Sequence, residues 1–125
     1  MQCPKCSNAM NEVPDLPAKA FRCSHCNGVW FEMLAHEQLV EFAARIDTGS
    51  AEQGQQYNRI DRIDCPVCEG RQDLIRMVDP QQPHIWFESC QNCFGRFYDA
   101  GEFTDFTEHS FMEWLKDLDA PARPL

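Results

Sequence analysis

Four Cys-x-x-Cys pairs constrain this chain of 125 residues more than any other feature. Two pairs lie in each half, and together they use all eight cysteines of the sequence. Each pair offers two thiolates to one ion, and two pairs complete a tetrahedral set of sulfur ligands. The spacing therefore predicts two four-cysteine metal sites, one formed by Cys3, Cys6, Cys23 and Cys26 and the other by Cys65, Cys68, Cys90 and Cys93.

The two halves repeat the same order of motifs. In each half a Cys-Pro-x-Cys sequence precedes the second cysteine pair, which is followed by a glycine, Gly28 or Gly95, and an aromatic run. Such a repeat indicates two tandem units, which we place at 1–46 and 61–125 with a Gly/Ser/Gln-rich linker at 47–60. Units of this size bury a marginal apolar core, so we expect metal to stabilise them. We also expect Gly28 to adopt a positive φ.

The donor set bears on the identity and role of the metal. A cage of four thiolates suits Zn²⁺ and leaves no open position for water, so we expect two structural Zn²⁺ ions per chain. Iron is the alternative, because an all-sulfur tetrahedron also accepts it and the Cys-Pro-x-Cys knuckle resembles the iron-binding loops of rubredoxin. His25 is not expected to replace a cysteine, since Asn92 takes its place in the second copy. No nucleophile and base pair stands out, and we do not expect an enzyme.

The sequence also bears on location and charge. Cys3 follows Met1 too closely for a signal peptide, and no apolar run approaches the roughly 18 residues of a membrane span. We therefore expect a cytoplasmic chain, in whose reducing surroundings paired cysteines bind metal rather than form disulfides. The formal net charge of -9 disfavours binding to phosphate backbones.

Short runs rich in aromatic and β-branched residues predict the strands. In the first unit they lie at 21–23 and 29–32, and in the second unit at 74–78, 84–90 and 96–98. The first two are expected to pair, and the last three to form an antiparallel sheet. With the helices described next, the predicted fold class is a small metal-stabilised α+β fold.

Apolar spacing and capping patterns predict the helices. The capping-box pattern that begins at Asp99 predicts a helix near 100–107, and a second such pattern predicts another near 111–118. A helix is also expected after the first ribbon, because four apolar residues recur on one helical face that should pack against the strands. These residues are Ala35, Leu39, Phe42 and Ile46.

The order of these motifs resembles that of a known family. The second copy carries the pattern from Cys65 to Phe106, including an Asp-x-Gly-Glu sequence at 99–102. The first copy carries it through Glu32 and departs from it at 34–36. On these motifs the chain resembles the bacterial transcription factor IIB-type zinc ribbon family. The resemblance implies two tandem zinc ribbons, each a short antiparallel sheet followed by helix, and implies contact with RNA polymerase only by analogy of fold.

The C-terminal helices carry more apolar surface than a small sheet needs, and acidic residues surround it. The leading hypothesis is a non-enzymatic adaptor that binds a protein partner, or another copy of itself, through this face. The face comprises Phe103, Phe106, Phe111, Trp114 and Leu118.

Two alternatives stay open. The first is binding of nucleic acid or of a transcription complex, which the acidic balance opposes. It would use Arg59, Arg62, Arg71 and Arg76. The second is a rubredoxin-like redox or zinc-handling role, which needs exposed thiolates of low pKa.

Overall fold

The computed structural model describes residues 1–60, 63–68, 72–79, 82 and 85–108. In these ranges six short strands form one antiparallel sheet in the order β1-β2-β3-β6-β5-β4. The predicted small α+β fold with antiparallel strands and two four-cysteine clusters is confirmed. The strands are β1 (Met10–Glu12), β2 (Ala20–Cys23), β3 (Val29–Phe31), β4 (Leu74–Val78), β5 (Trp86–Cys90) and β6 (Arg96–Tyr98).

The two ribbons join where β3 pairs with β6. Trp30 lies opposite Phe97 in this antiparallel register. Each of these residues stands four positions after the last cysteine of its own ribbon, Cys26 or Cys93, so equivalent residues of the repeat meet each other. The junction therefore resembles a two-fold symmetric interface, in which the same surface patch lies on both sides. The sequence left the arrangement of the ribbons open, and the shared sheet fixes it.

The glycine after each second cysteine pair is required by this junction. The prediction of a positive φ at Gly28 is wrong, because the left-handed residue is its neighbour Asn27, with φ 58°. A Cβ at Gly28 would lie 2.2 Å from Cζ of Phe97, and one at Gly95 would lie 2.2 Å from Cζ2 of Trp30. Each glycine therefore makes room for the aromatic ring of the other ribbon.

We expect Gly28→Ala to destabilise the protein by about 2–3 kcal/mol, because the new methyl group displaces the Phe97 ring from the junction. Urea unfolding with saturating zinc measures the loss. In a double-mutant cycle, Gly28→Ala should cost less in a Phe97→Leu background, where the ring is gone. Equal costs in the two backgrounds would show that the ring does not require the glycine.

Side chains of the sheet alternate between two cores. One core contains Phe31, Phe87 and Tyr98, and the other contains Trp30 and Phe97 together with all eight cysteines. Because alternate residues of a strand face opposite sides of a sheet, the first core lies on one face and the metal-binding core on the other. The fold thus combines an ordinary aromatic core with one built around the thiols.

The helix predicted after the first ribbon consists of three short segments. They are α1 (Ala35–Gln38), a 3-10 turn (Val40–Phe42) and α2 (Ala43–Ile46). The apolar stripe packs on the aromatic core as expected: Ala35, Leu39 and Ile46 are buried, and Phe42 is half-buried against it. The apolar spacing therefore predicted the packing of this stripe correctly, whereas the single continuous helix that we expected is divided into short segments.

A helix also forms within the residues predicted as a linker. It is α3 (Ala51–Tyr57), and the hydroxyl of Ser50 accepts a hydrogen bond from the amide of Gln53 at its start. Gly54 is buried against Ala100, and a Cβ at Gly54 would lie 2.1 Å from the backbone carbonyl oxygen of Ala100. The helix is therefore held against the second ribbon, and the predicted division into domains stays a prediction.

The helix predicted near 100–107 is α4 (102–108). The predicted capping by Asp99 is wrong, because the carboxylate that caps this helix is Asp47. It accepts hydrogen bonds from the amides of Gly101 and Thr104, each at 2.9 Å. The helix predicted near 111–118 lies outside the described residues. No helix in the described part of the chain is long and apolar enough to cross a bilayer.

Glu102, in the first turn of α4, gives a pH-dependent expectation. Its pKa is raised to about 7, chiefly by burial and also by the negative charges of Asp99, Asp105 and Asp47. The folded chain therefore holds this proton up to about pH 7, whereas the unfolded chain releases it near its ordinary pKa of 4.5. Because the folded state binds the extra proton, this group's contribution to stability falls as pH rises through that interval.

We expect Glu102→Gln to remove that loss, so that the variant gains about 1–2 kcal/mol relative to wild type between pH 5 and pH 8. The figure is reduced because the side chain is partly exposed. Urea unfolding with saturating zinc across this range is the measurement. Glu108→Gln, at an exposed position of the same helix, is the control. The same pH profile in both variants would contradict the assignment.

Candidate metal centres

The first candidate metal centre brings together the four cysteines of the first ribbon. All four Sγ atoms lie within 4.8 Å of one another. The sulfurs of Cys3 and Cys26 are 3.6 Å apart, and those of Cys6 and Cys23 are 3.3 Å apart. Zinc–sulfur bonds of about 2.3 Å give a tetrahedron with edges of about 3.8 Å. The cluster therefore has nearly the dimensions of a four-thiolate zinc site.

The second centre has the same form in the second ribbon. Its four sulfurs also lie within 4.8 Å of one another. The distance from Cys65 to Cys93 is 3.7 Å, and that from Cys68 to Cys90 is also 3.7 Å. In both centres the first cysteine pair precedes the first strand of its own ribbon, β1 or β4, and the second pair begins at the last residue of a strand, β2 or β5. The structure thus groups the eight cysteines as the sequence predicted.

Hydrogen bonds hold the sulfurs in orientation. Backbone amides inside the knuckles donate hydrogen bonds to the first cysteine of the pair. The amides of Cys26 and Cys93, for example, donate to the sulfurs of Cys23 and Cys90, each at 3.5 Å. Asn92 donates its side-chain amide to Cys68 at 3.2 Å. Donors around metal ligands orient them and stabilise their charge. Asn92, which is the equivalent of His25 in the second copy, thus lies beside the cysteine sulfurs. No histidine belongs to either of the described clusters.

Electrostatics favour a cation at these sites. The pKa of Cys3 is lowered to about 5, chiefly because the Cys26 thiol donates a hydrogen bond to it. The same contact raises the pKa of Cys26, and burial raises that of Cys65. Four adjacent thiols therefore do not all ionise on their own. A bound Zn²⁺ would supply the positive charge that stabilises four thiolates.

A buried charge cluster lies beside the first centre. The Lys5 side chain is 0% exposed, and its ammonium lies 2.8 Å from Glu88 and 2.8 Å from Asp99. It also donates to the carbonyl oxygen of Tyr57 at 3.0 Å. Burial raises the pKa of Glu88 and of Asp99, and the ammonium opposes that rise. The first metal knuckle is thus bound to the second ribbon through paired charges.

Sequence reasoning missed this cluster. Its only local signal is the contrast between Lys5 and Val67, which occupy the same place in the two Cys-Pro-x-Cys motifs. The partners of Lys5 lie up to 94 positions away in the chain, so no local pattern connects them.

The residues predicted to bind a partner fall into two groups. Phe103 is fully buried, and Phe106 is half-buried and packs on the same aromatic core. The ring of Phe103 is therefore not available to a partner in this structure. The remaining three, Phe111, Trp114 and Leu118, lie outside the described residues.

The arginines of the nucleic-acid alternative are also divided. Arg76 donates to the carbonyl oxygens of Asn58 and Ile60, lies 3.4 Å from Glu88 and stacks over Trp86. Arg59 is exposed. Arg62 and Arg71 lie outside the described residues.

Comparison with known families supports the assignment of these centres. Residues 2–41 match the family described as "Transcription factor zinc-finger", of the transcription factor IIB zinc-ribbon type. The match covers all four cysteines of the first centre, and the second cluster at 65–93 lies beyond it. No curated protein and no solved structure matches the chain. The family match and the two clusters together support a zinc-binding module.

Proposed function

We propose that this chain, whose first ribbon matches the transcription factor zinc-finger family, is a non-enzymatic protein-interaction module stabilised by two Zn²⁺ ions. Its closed four-thiolate centres favour a structural role for the metal, since catalytic zinc keeps a position open for water. The ions hold a rigid sheet whose surface is free to bind. We place this adaptor in the cytoplasm, where reduced thiols remain available to metal.

The observation that carries the proposal is an exposed apolar hairpin at the edge of the sheet. On β4 and β5 four apolar side chains are between 39% and 46% exposed: Ile75, Met77, Val78 and Trp86. Val78 and Trp86 face each other across the two strands. Exposed apolar surface at a sheet edge is typical of interaction sites. Beyond α4 the sequence adds Phe111, Trp114 and Leu118 at helical spacing.

The basic residues give less support to the nucleic-acid alternative. The described cations largely interact with groups of the chain itself, as Lys5 does with its two carboxylates. Arg22 and Arg45 donate to backbone carbonyl oxygens, and Arg96 stacks over Phe87 at 4.1 Å. Among the basic residues that the structure describes, few remain to neutralise phosphates, and the net charge of the chain is -9. The family match keeps a protein of the transcription machinery as the second candidate partner.

Co-purification from the native host, with and without nuclease, tests this proposal. The intact protein should retain one protein partner after nuclease treatment. Trp86→Ala in the hairpin and Trp114→Ala should each reduce its recovery at least about fivefold without loss of zinc, because aromatic anchors dominate such interfaces. Phe94→Ala, at an exposed aromatic residue of the second knuckle, should retain the partner. Recovery that depends on nucleic acid and ignores Trp114→Ala would favour the alternative instead.

A further inference from the structure

The internal repeat extends beyond the cysteines into the backbone. Counted from the last cysteine of each ribbon, Asn27 is the counterpart of Phe94, and both residues are left-handed, with φ 58° and 61°. Leu34 is in the same way the counterpart of Gly101, and these two are also left-handed, with φ 62° and 85°. The two halves are therefore equivalent residue by residue as far as the starts of α1 and α4.

In one half, α3 covers the surface beside the first metal centre. Asn27 donates its side-chain amide to Gln53 of this helix at 3.0 Å. Lys5 donates to the carbonyl oxygen of Tyr57, the last residue of the helix, at 3.0 Å. A Cβ at Gly101 would lie 2.8 Å from the backbone of the first residue of the helix. The positions on this surface that contact α3 are Lys5, Asn27, Ala100 and Gly101.

In the other half, the equivalent surface is apolar and exposed. The counterparts of the positions that contact α3 are between 45% and 58% exposed. Two of them, Met33 and Val67, line one cavity of about 270 Å³. Exposed apolar surface of this kind is typical of an interaction site. The surface, which we call the knuckle patch, comprises Met33, Leu34, Val67 and Phe94.

The repeat also indicates which segment is the counterpart of α3. After the second ribbon α4 takes the place of α1, because Glu102 is the counterpart of Ala35. The described part of α4 ends at 108, and residues 109–125 follow it. A capping-box pattern at Ser110 begins the helix predicted there. Large apolar residues recur in this segment at helical spacing. They are Phe111, Trp114, Leu115 and Leu118.

The chemistry of each segment matches that of the surface it would cover. Helix α3 places Gly54 against Ala100 and joins Gln53 to Asn27, so small and polar residues meet small and polar ones. The knuckle patch offers large apolar side chains, and the segment after α4 offers large apolar side chains in return. Removal of both surfaces from water favours their contact.

We propose that residues 110–118 dock on the knuckle patch of their own chain, as the counterpart of α3. The docking itself does not depend on the function proposed above, because it takes place in the free protein. Its regulatory consequence rests on that function. A partner that binds Trp114 has to displace the segment from the patch, so the contact is autoinhibitory.

The methyl groups of two methionines test the docking in the isolated, intact and zinc-loaded protein. Met33 belongs to the knuckle patch, and Met77 belongs to the exposed hairpin. In nuclear magnetic resonance with methyl-labelled methionine, the Met33 methyl should show a ring-current shift and a nuclear Overhauser contact with the indole of Trp114. Trp114→Ala should abolish both and leave Met77 unchanged. A change at Met77 and none at Met33 would place the segment on the hairpin and overturn the proposal.

A variant of the patch tests the same contact from the other side. Phe94→Asn introduces the residue of the first copy at a left-handed position that asparagine tolerates. Backbone amides of residues 113–118 should then exchange with solvent at least about tenfold faster, without loss of zinc, because the ring no longer packs on the segment. Trp86→Ala, in the hairpin, is the control and should leave these rates unchanged. Equal rates in Phe94→Asn and wild type would contradict the docking.

A second copy of the chain is the other possible source of the segment. A Met33 shift that grows with protein concentration, together with dimers in sedimentation, would show docking between copies and overturn the intramolecular contact.

The outcomes also separate this proposal from the proposed function. Contact between Met33 and Trp114 without a recovered partner would refute the proposed function alone. A partner recovered through Trp114, with a Met33 resonance that ignores Trp114→Ala, would refute the docking alone.

Discussion

Removal of zinc from the intact protein with a strong chelator is expected to unfold both ribbons. One of the two cores consists of the eight cysteines and the residues packed around them, including Trp30 and Phe97 at the ribbon junction. Zinc binding to sites of this kind is worth on the order of 10 kcal/mol each at neutral pH. A small domain has a net stability of only about 5–15 kcal/mol, so the remaining aromatic core does not compensate for the loss.

Far-ultraviolet circular dichroism, with elemental analysis to confirm that the metal is gone, measures this effect. The sheet signal should disappear on chelation and return when zinc is added back. Because β3 and β6 belong to different ribbons and pair directly, loss of one centre should also weaken the other ribbon. Native-like circular dichroism in protein proven free of metal would contradict the expectation.

The second large effect is expected at Lys5. Lys5→Met keeps much of the side-chain volume and removes the charge, so Glu88 and Asp99 remain buried without their cation. Breaking one side of a buried ion pair typically costs about 3–5 kcal/mol. Urea unfolding with saturating zinc should show a loss of this size. Zinc content is measured in parallel, since Lys5 lies between two cysteines of the first centre.

Two further variants separate the buried charges from a general effect of losing a lysine. Lys19→Met, at an exposed position, should change stability by less than about 0.5 kcal/mol. Adding Glu88→Gln and Asp99→Asn to Lys5→Met should recover part of the loss, because the uncompensated charges are then removed. If Lys5→Met is as stable as Lys19→Met, the cluster does not hold the ribbons together.

The sequence predicted well what local patterns determine. Cys-x-x-Cys spacing identified the eight cysteines that the structure groups into two clusters, because each knuckle forms within a few residues. Aromatic runs located strands in both ribbons, and the stripe from Ala35 to Ile46 identified a surface that packs on the core. Each of these features depends on neighbours in the chain, and each is visible without knowledge of the fold.

Features that depend on contacts between the ribbons were missed. Gly28 was expected to allow a positive φ in its own turn. In the structure its lack of a side chain instead leaves space for the Phe97 ring of the other ribbon. Asp99 appeared to cap the helix that follows, yet it binds Lys5, while Asp47 supplies the cap. Phe103 seemed surplus because one ribbon alone offers little surface to bury it. In the shared sheet it packs on residues of both ribbons, including Phe31 at a ring distance of 4.5 Å.

X-ray absorption with elemental analysis of the intact protein tests both metal centres together. Protein purified without added metal should contain two zinc ions per chain, each surrounded by four sulfurs at about 2.3 Å. It should also be colourless. Iron with visible thiolate-to-metal absorption, a content of one metal or none, or nitrogen and oxygen ligands in place of sulfur would contradict the account.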